Sequence, residues 1–178
     1  MLKQMIKAGI PALAITFLAA CGNSGENKEA GAAVQEEQAV TAAPVKLKDE
    51  QVNNVYQHYV HLTTALINSD SAEAKVAGAA IAEGAKALPA GGTIVEHAQT
   101  IAAAPSLAVQ REHYAVLSED VIALVRATGL SSGELYVDYC PMANGDKGAN
   151  WLSAVKDIRN PYFGDEMMTC GEVKETIK

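Results

Sequence analysis

Five apolar residues, Val52, Val55, Tyr59, Leu62 and Leu66, recur at intervals of three and four between about Asp49 and Ser69. That spacing lines them along one face of an α-helix, and it commits this part of the chain to burying a stripe against other helices. The pattern breaks at Asn68-Ser69-Asp70-Ser71, where turn and N-cap residues cluster, and Ser71 to about Leu88 reads as a second helix. Its inward positions, Ala74, Ala77, Ile81 and Leu88, are mostly small, which lets neighbouring axes approach closely. Pro89-Ala90-Gly91-Gly92 stops that helix, and Thr93 is positioned to cap a third, running to about Ala104. After Pro105 and Ser106 a fourth runs to about Thr128, with Tyr114, Leu117, Val121 and Leu124 on one line and Gly129 as its stop. The expected fold is mainly α: an up-and-down four-helix bundle with a C-terminal cap of loops and short strands, here residues 133–178. Such a frame names no function.

Past Gly129 the composition changes to Tyr, Pro, Gly, Cys and Met. Glu134 to Cys140 alternates apolar and polar residues, as a short strand does. Asn144-Gly145-Asp146-Lys147-Gly148 is a turn, and Asn160-Pro161-Tyr162-Phe163-Gly164 is a second, rigid one. Trp151 and Leu152 suit a plug for the open end of the bundle, since an indole needs a large apolar site. Gly171 to Ile177 is expected as a short terminal helix or strand.

The N-terminal residues bear on destination. Lys3 and Lys7 precede an apolar run from Ala8 to Ala20 that is too short to cross a bilayer as a helix. It ends in Leu18-Ala19-Ala20-Cys21, which resembles the bacterial lipobox, in which cleavage precedes a cysteine that becomes acylated. The expectation is a lipoprotein signal peptide at 1–20, lipid attachment at Cys21, and a flexible tether over 21–44 that is too poor in bulky apolar residues to fold. The folded domain is then 45–178. It would sit in the cell envelope, on the periplasmic or outer face of a bacterial membrane, anchored in the lipid bilayer without spanning it. Without Lys3 and Lys7 the chain keeps 12 basic residues against 21 acidic ones. That acidic balance, with no basic cluster, excludes nucleic acid as a partner.

Two further thiols, Cys140 and Cys170, each have a methionine nearby. Cys140 and Met142 lie two apart around Pro141, so an extended backbone would put both sulfurs on one side; Met167 and Cys170 lie three apart, on one face of a helical turn, and if that segment is extended instead Met168 and Cys170 share a side. Thiolates and thioethers are soft donors that suit Cu(I) and not Mg²⁺ or Ca²⁺. The same two cysteines also suit a disulfide, the usual state of a cysteine pair in an exported domain, and unpaired thiols are a third reading. No Gly-x-Ser-x-Gly, phosphate-binding Gly loop or His-Glu-x-x-His occurs, and the adjacent acids Glu119-Asp120 and Asp165-Glu166 read as solvated charges, so an enzyme is not expected.

The words Tyr139-Cys140-Pro141-Met142-Ala143, Trp151-Leu152-Ser153, Ile158-Arg159-Asn160-Pro161-Tyr162-Phe163-Gly164 and Met167-Met168-Thr169-Cys170-Gly171 follow in order. With Gln110 to Tyr114, Leu117-Ser118, Tyr59 and Ala65-Leu66, they resemble an exported bacterial family of unknown function that is also found fused to periplasmic subunits of heavy-metal and copper efflux pumps. The resemblance implies periplasmic binding of Cu(I) or another soft heavy-metal ion, for tolerance, sequestration or hand-over to efflux components. It implies Cys140, Met142, Met167 and Cys170 as ligands. His113, within the matching Gln-Arg-Glu-His-Tyr word, is a fifth candidate. His58 and His61 could meet as a pair three apart on the first helix, though its apolar stripe turns His61 to solvent, and His97 has no partner visible in the sequence.

Overall fold

The computed structural model describes residues 44–89 and 91–178. The expected signal peptide, Cys21 and nearly all of the tether lie outside the described residues. The described residues all belong to one compact unit. It is mainly helical, with two small antiparallel sheets. Among the described residues no helix is long and apolar enough to cross a membrane.

Four long helices lead the fold: α1 (Glu50–Ile67), α2 (Ser71–Ala85), α3 (Gly92–Ala103) and α4 (Leu107–Thr128). Each packs on the next, and α1 also meets α4. All five residues of the first apolar stripe are buried, as are Ala74, Ala77, Ile81, Tyr114, Leu117 and Val121. Asp49 caps α1, accepting from the N–H groups of Gln51 and Val52 at 2.8 and 2.9 Å. Asp70 caps α2 through Glu73 N–H, and Ser106 caps α4 through Val109 N–H.

Two helix ends differ from expectation. The second helix stops at Ala85, although Leu88 is still buried, because a tight turn in which Leu88 N–H bonds Ala85 C=O carries it inward. Thr93 is not a cap: α3 already starts at Gly92, and the cap position falls to Gly91. A Cβ on Gly91 would lie 2.0 Å from the Ala85 carbonyl oxygen, so only glycine lets the chain return so close to the end of α2.

The C-terminal third is a sheet with a long covering loop. β1 (Lys46–Leu47) pairs with β2 (Leu130–Ser132) and ties the start of the domain to the end of α4. β3 (Leu135–Cys140) is the centre of the second sheet, flanked by β4 (Ala149–Ser153) and β5 (Glu172–Ile177) in the order β4-β3-β5. Trp151 is a residue of β4, opposite Asp138 on β3, and it and Leu152 are buried in the core. Alternation along β3 sets Leu135, Val137 and Tyr139 on one face and Tyr136, Asp138 and Cys140 on the other. β4 packs against α4, and the Leu152 N–H donates to the hydroxyl of Tyr59 on α1 at 3.1 Å.

That hydroxyl is the hub of a buried polar knot. Tyr114 donates to Tyr59 at 2.9 Å, Ser118 Oγ lies 2.8 Å from it, and the two rings stack with centroids 5.5 Å apart. Burial pushes both phenols above their ordinary range, so they stay protonated and able to donate.

Candidate functional site

The site is assembled by the segment between β4 and β5. Asn160, fully buried, organises it: its side-chain oxygen accepts from Tyr162 N–H at 2.8 Å and its amide donates to the Cys170 carbonyl at 2.7 Å. Its backbone N–H bonds the Met168 carbonyl at 2.8 Å and its carbonyl accepts from Gly164 at 3.0 Å. Tyr162 reaches on to the Asn150 carbonyl in β4 at 2.5 Å and contacts Trp151 edge-on. Arg111 of α4 grips the same segment from the helical side. It donates to the Pro161 carbonyl at 2.9 Å, and to the Leu66 carbonyl and Ser69 hydroxyl past the end of α1 at 3.0 and 3.1 Å.

These contacts carry Cys170 onto Cys140. Their sulfurs lie 3.1 Å apart, both as free thiols, with Cys140 wholly buried at the end of β3 and Cys170 half-buried just before β5. The Cys170 thiol is pushed up from its ordinary value, first by the sulfur–sulfur hydrogen bond to Cys140 and then by burial. Thirty residues of chain separate the two, so their convergence belongs to the tertiary fold.

The methionines are arranged differently from the sequence expectation. β3 ends at Cys140, and Met142 already has a helical backbone, so it does not continue an extended strand beside Cys140. It is 43% exposed and lines a cleft of about 840 Å³ with Arg111, Glu112, Lys147, Phe163 and Glu166. Met167 is half-buried after a single turn of 3-10 helix at Gly164–Glu166, and its carbonyl accepts from Cys170 N–H at 3.1 Å, a reverse turn in place of a helical face.

The histidines also regroup. His113 on α4 faces His97 on α3, with Nδ1 atoms 3.2 Å apart. Among the described residues no three or more of His, Cys, Asp and Glu gather where they could hold one ion, so His113 does not join the two thiols. His61 leaves His58 for Glu73 on α2, 2.7 Å away. The sequence reading missed the pairing of His97; the signal for it is spacing, since it and His113 stand eight residues either side of Pro105 and a helical hairpin folded there sets them opposite.

Asp138 carries no signal in the sequence beyond its place in an alternating strand. It is fully buried two residues before Cys140, and among the described residues neither carboxylate oxygen has a hydrogen-bond partner. Burial raises it from the usual carboxylate range to about 7.

Residues 55–133 match the family described as "Protein of unknown function (DUF3347)". The match runs from within α1 through α2, α3, α4 and β2 and ends before Cys140, so it supports an unknown-function domain family for the helical part and reaches neither sulfur word. No curated protein and no solved structure matches the chain.

Proposed function

We propose that this chain is a lipid-anchored envelope protein whose Cys140/Cys170 pair binds Cu(I) or a related soft ion, holding it or passing it to efflux components. In this reading α1–α4 form an up-and-down bundle that carries the cap, and the protein binds and exchanges its ion without catalysing a reaction. One observation carries it: two thiols from distant words of the sequence lie 3.1 Å apart. Two thiolates favour a soft ion, and among the described residues no third His, Cys or carboxylate donor gathers with them, which leaves further positions to methionine sulfur or an incoming ligand. The likeness of the sulfur words to an efflux-associated family supports the same ion class.

Met142 suits the role of exchange ligand. Its thioether is flexible and exposed, so it can take an ion in the cleft and release it. Met167, half-buried, is the candidate to follow the ion inward.

The test is competition between the purified, reduced protein and a chromogenic Cu(I) chelator. Uptake of one ion per chain, lost in Cys140→Ser and in Cys170→Ser, is expected; unchanged uptake in either variant overturns the reading. The anchor is tested separately, since Cys21→Ser should move the protein from the membrane to the soluble fraction.

The same sulfur separation favours a second reading, in which a Cys140–Cys170 disulfide locks the cap of a structural or interaction module. Closing a loop of 30 residues would stabilise the fold by about 3 to 4 kcal/mol on the chain-entropy argument. A thiol count on protein isolated without reductant separates the two: a full disulfide, with no ion uptake after reduction, selects the lock.

A further inference from the structure

The imidazoles of His97 and His113 form a pair that the sulfur chemistry does not use. They stand on adjacent helices, both half-buried, with ring centroids 5.5 Å apart and planes inclined by 38°. As a hydrogen bond, the 3.2 Å contact between like Nδ1 atoms needs opposite tautomers, one ring donating and the other accepting. As a chelate it needs only two neutral rings. With metal–nitrogen bonds of about 2.0 to 2.1 Å, nitrogens 3.2 Å apart subtend roughly 100° at the ion, close to a tetrahedral angle.

We propose that His97 and His113 form an open, two-imidazole site for a borderline divalent transition ion, Zn(II) or Cu(II), separate from the cysteine pair. Imidazole is harder than thiolate and suits these ions, and Cu(II) stands highest among the divalent series. Partial exposure leaves the outer coordination positions to water or to a donor from another molecule, as in metal sites that keep an open position. The hairpin supplies the rigidity: both helices are fixed by buried neighbours, Ile94, Ala98 and Ile101 on α3 and Tyr114 and Leu117 on α4. Little side-chain freedom then remains to be lost when the ion arrives.

The site does not depend on the Cu(I) reading, and a cysteine-free chain tests it alone. The full chain with Cys21, Cys140 and Cys170 replaced by Ser is titrated with Cu(II) in a non-coordinating buffer, and the bound ion is read by electron paramagnetic resonance. One equivalent with nitrogen hyperfine structure is expected. His97→Gln and His113→Gln should each weaken binding by about tenfold or more, and His61→Gln should leave it unchanged. Equal binding by the His97 and His113 variants overturns the proposal. Should either variant fail to fold, ring-nitrogen NMR of the cysteine-free chain during Zn(II) addition decides it. Joint shifts of His97 and His113 sustain the proposal, and shifts confined to other histidines overturn it.

Discussion

The helical part and the C-terminal sheet are held by different means. Between Glu50 and Thr128 the core is a set of aliphatic, alanine and tyrosine side chains on regular helices, and its stability is spread over many similar contacts. Between Leu135 and Ile177 the structure depends on single groups: Asn160 and Arg111 binding carbonyls, and glycines admitting close neighbours. The first design distributes its free energy over many apolar contacts. The second concentrates its free energy in a few positions and in return places two thiols from distant segments within bonding reach.

Glycine should break that contrast most sharply. Gly164 has φ +59°, and a Cβ there would lie 2.8 Å from both the Ile67 carbonyl oxygen and the Ser69 hydroxyl. Gly164→Ala is expected to cost about 3 kcal/mol or more in urea unfolding, as much as removing a large buried side chain from the helical core although only a methyl is added. Gly171 should behave likewise, since its Cβ would meet Trp151 at 2.9 Å.

Asp138 should sharpen the contrast through pH. Its folded value near 7 lies above its unfolded one, so between about pH 4 and 7 the folded state holds the extra proton. Stability is therefore fullest below that window, falls by up to roughly 1.4 kcal/mol per pH unit across it, and levels off above it. Asp138→Asn should flatten this slope and leave the protein more stable than the parent at pH 8. A slope that survives the substitution would mean that other groups set it.

Tyr59→Phe tests the junction of the two regions. It removes the acceptor for the buried Leu152 N–H and partners of Tyr114 and Ser118, at an expected cost of about 2 kcal/mol, with Leu152 amide exchange faster than that of α2. The smallest effect belongs to His61→Ala. Its pairing with Glu73 is 40% and 49% exposed at the two side chains, and the change in melting free energy should stay within about 0.5 kcal/mol.

What could be read beforehand follows the same division. Helical periodicity identified the buried stripe of α1 and the small-residue face of α2, because spacing of three and four is a local property of the chain. The end of α2 and the start of α3 differ from the periodicity by a few residues, because the consecutive turns that bring Gly91 back to Ala85 keep Leu88 buried without helical backbone. In the cap, the strand ending at Cys140 was visible from its alternation. The pairing of Lys46–Leu47 with Leu130–Ser132 was not, since strands of two and three residues carry no periodicity. The two cysteines could be named as partners, whereas the orientation of Met142 depended on where β3 stops, and the isolation of Asp138 on what fails to pack beside it.

The unequal burial of the two thiols imposes an order of events. Cys140 is sealed inside, so any electrophile, oxidant or mixed-disulfide partner must meet Cys170 first. Cys140 lies directly behind, its sulfur 3.1 Å from that of Cys170, so a sulfenic acid or mixed disulfide formed on Cys170 can be resolved to the Cys140–Cys170 disulfide with release of water or of the partner's thiol. The pair thus has a front and a back, and oxidation that starts at the surface has an intramolecular exit.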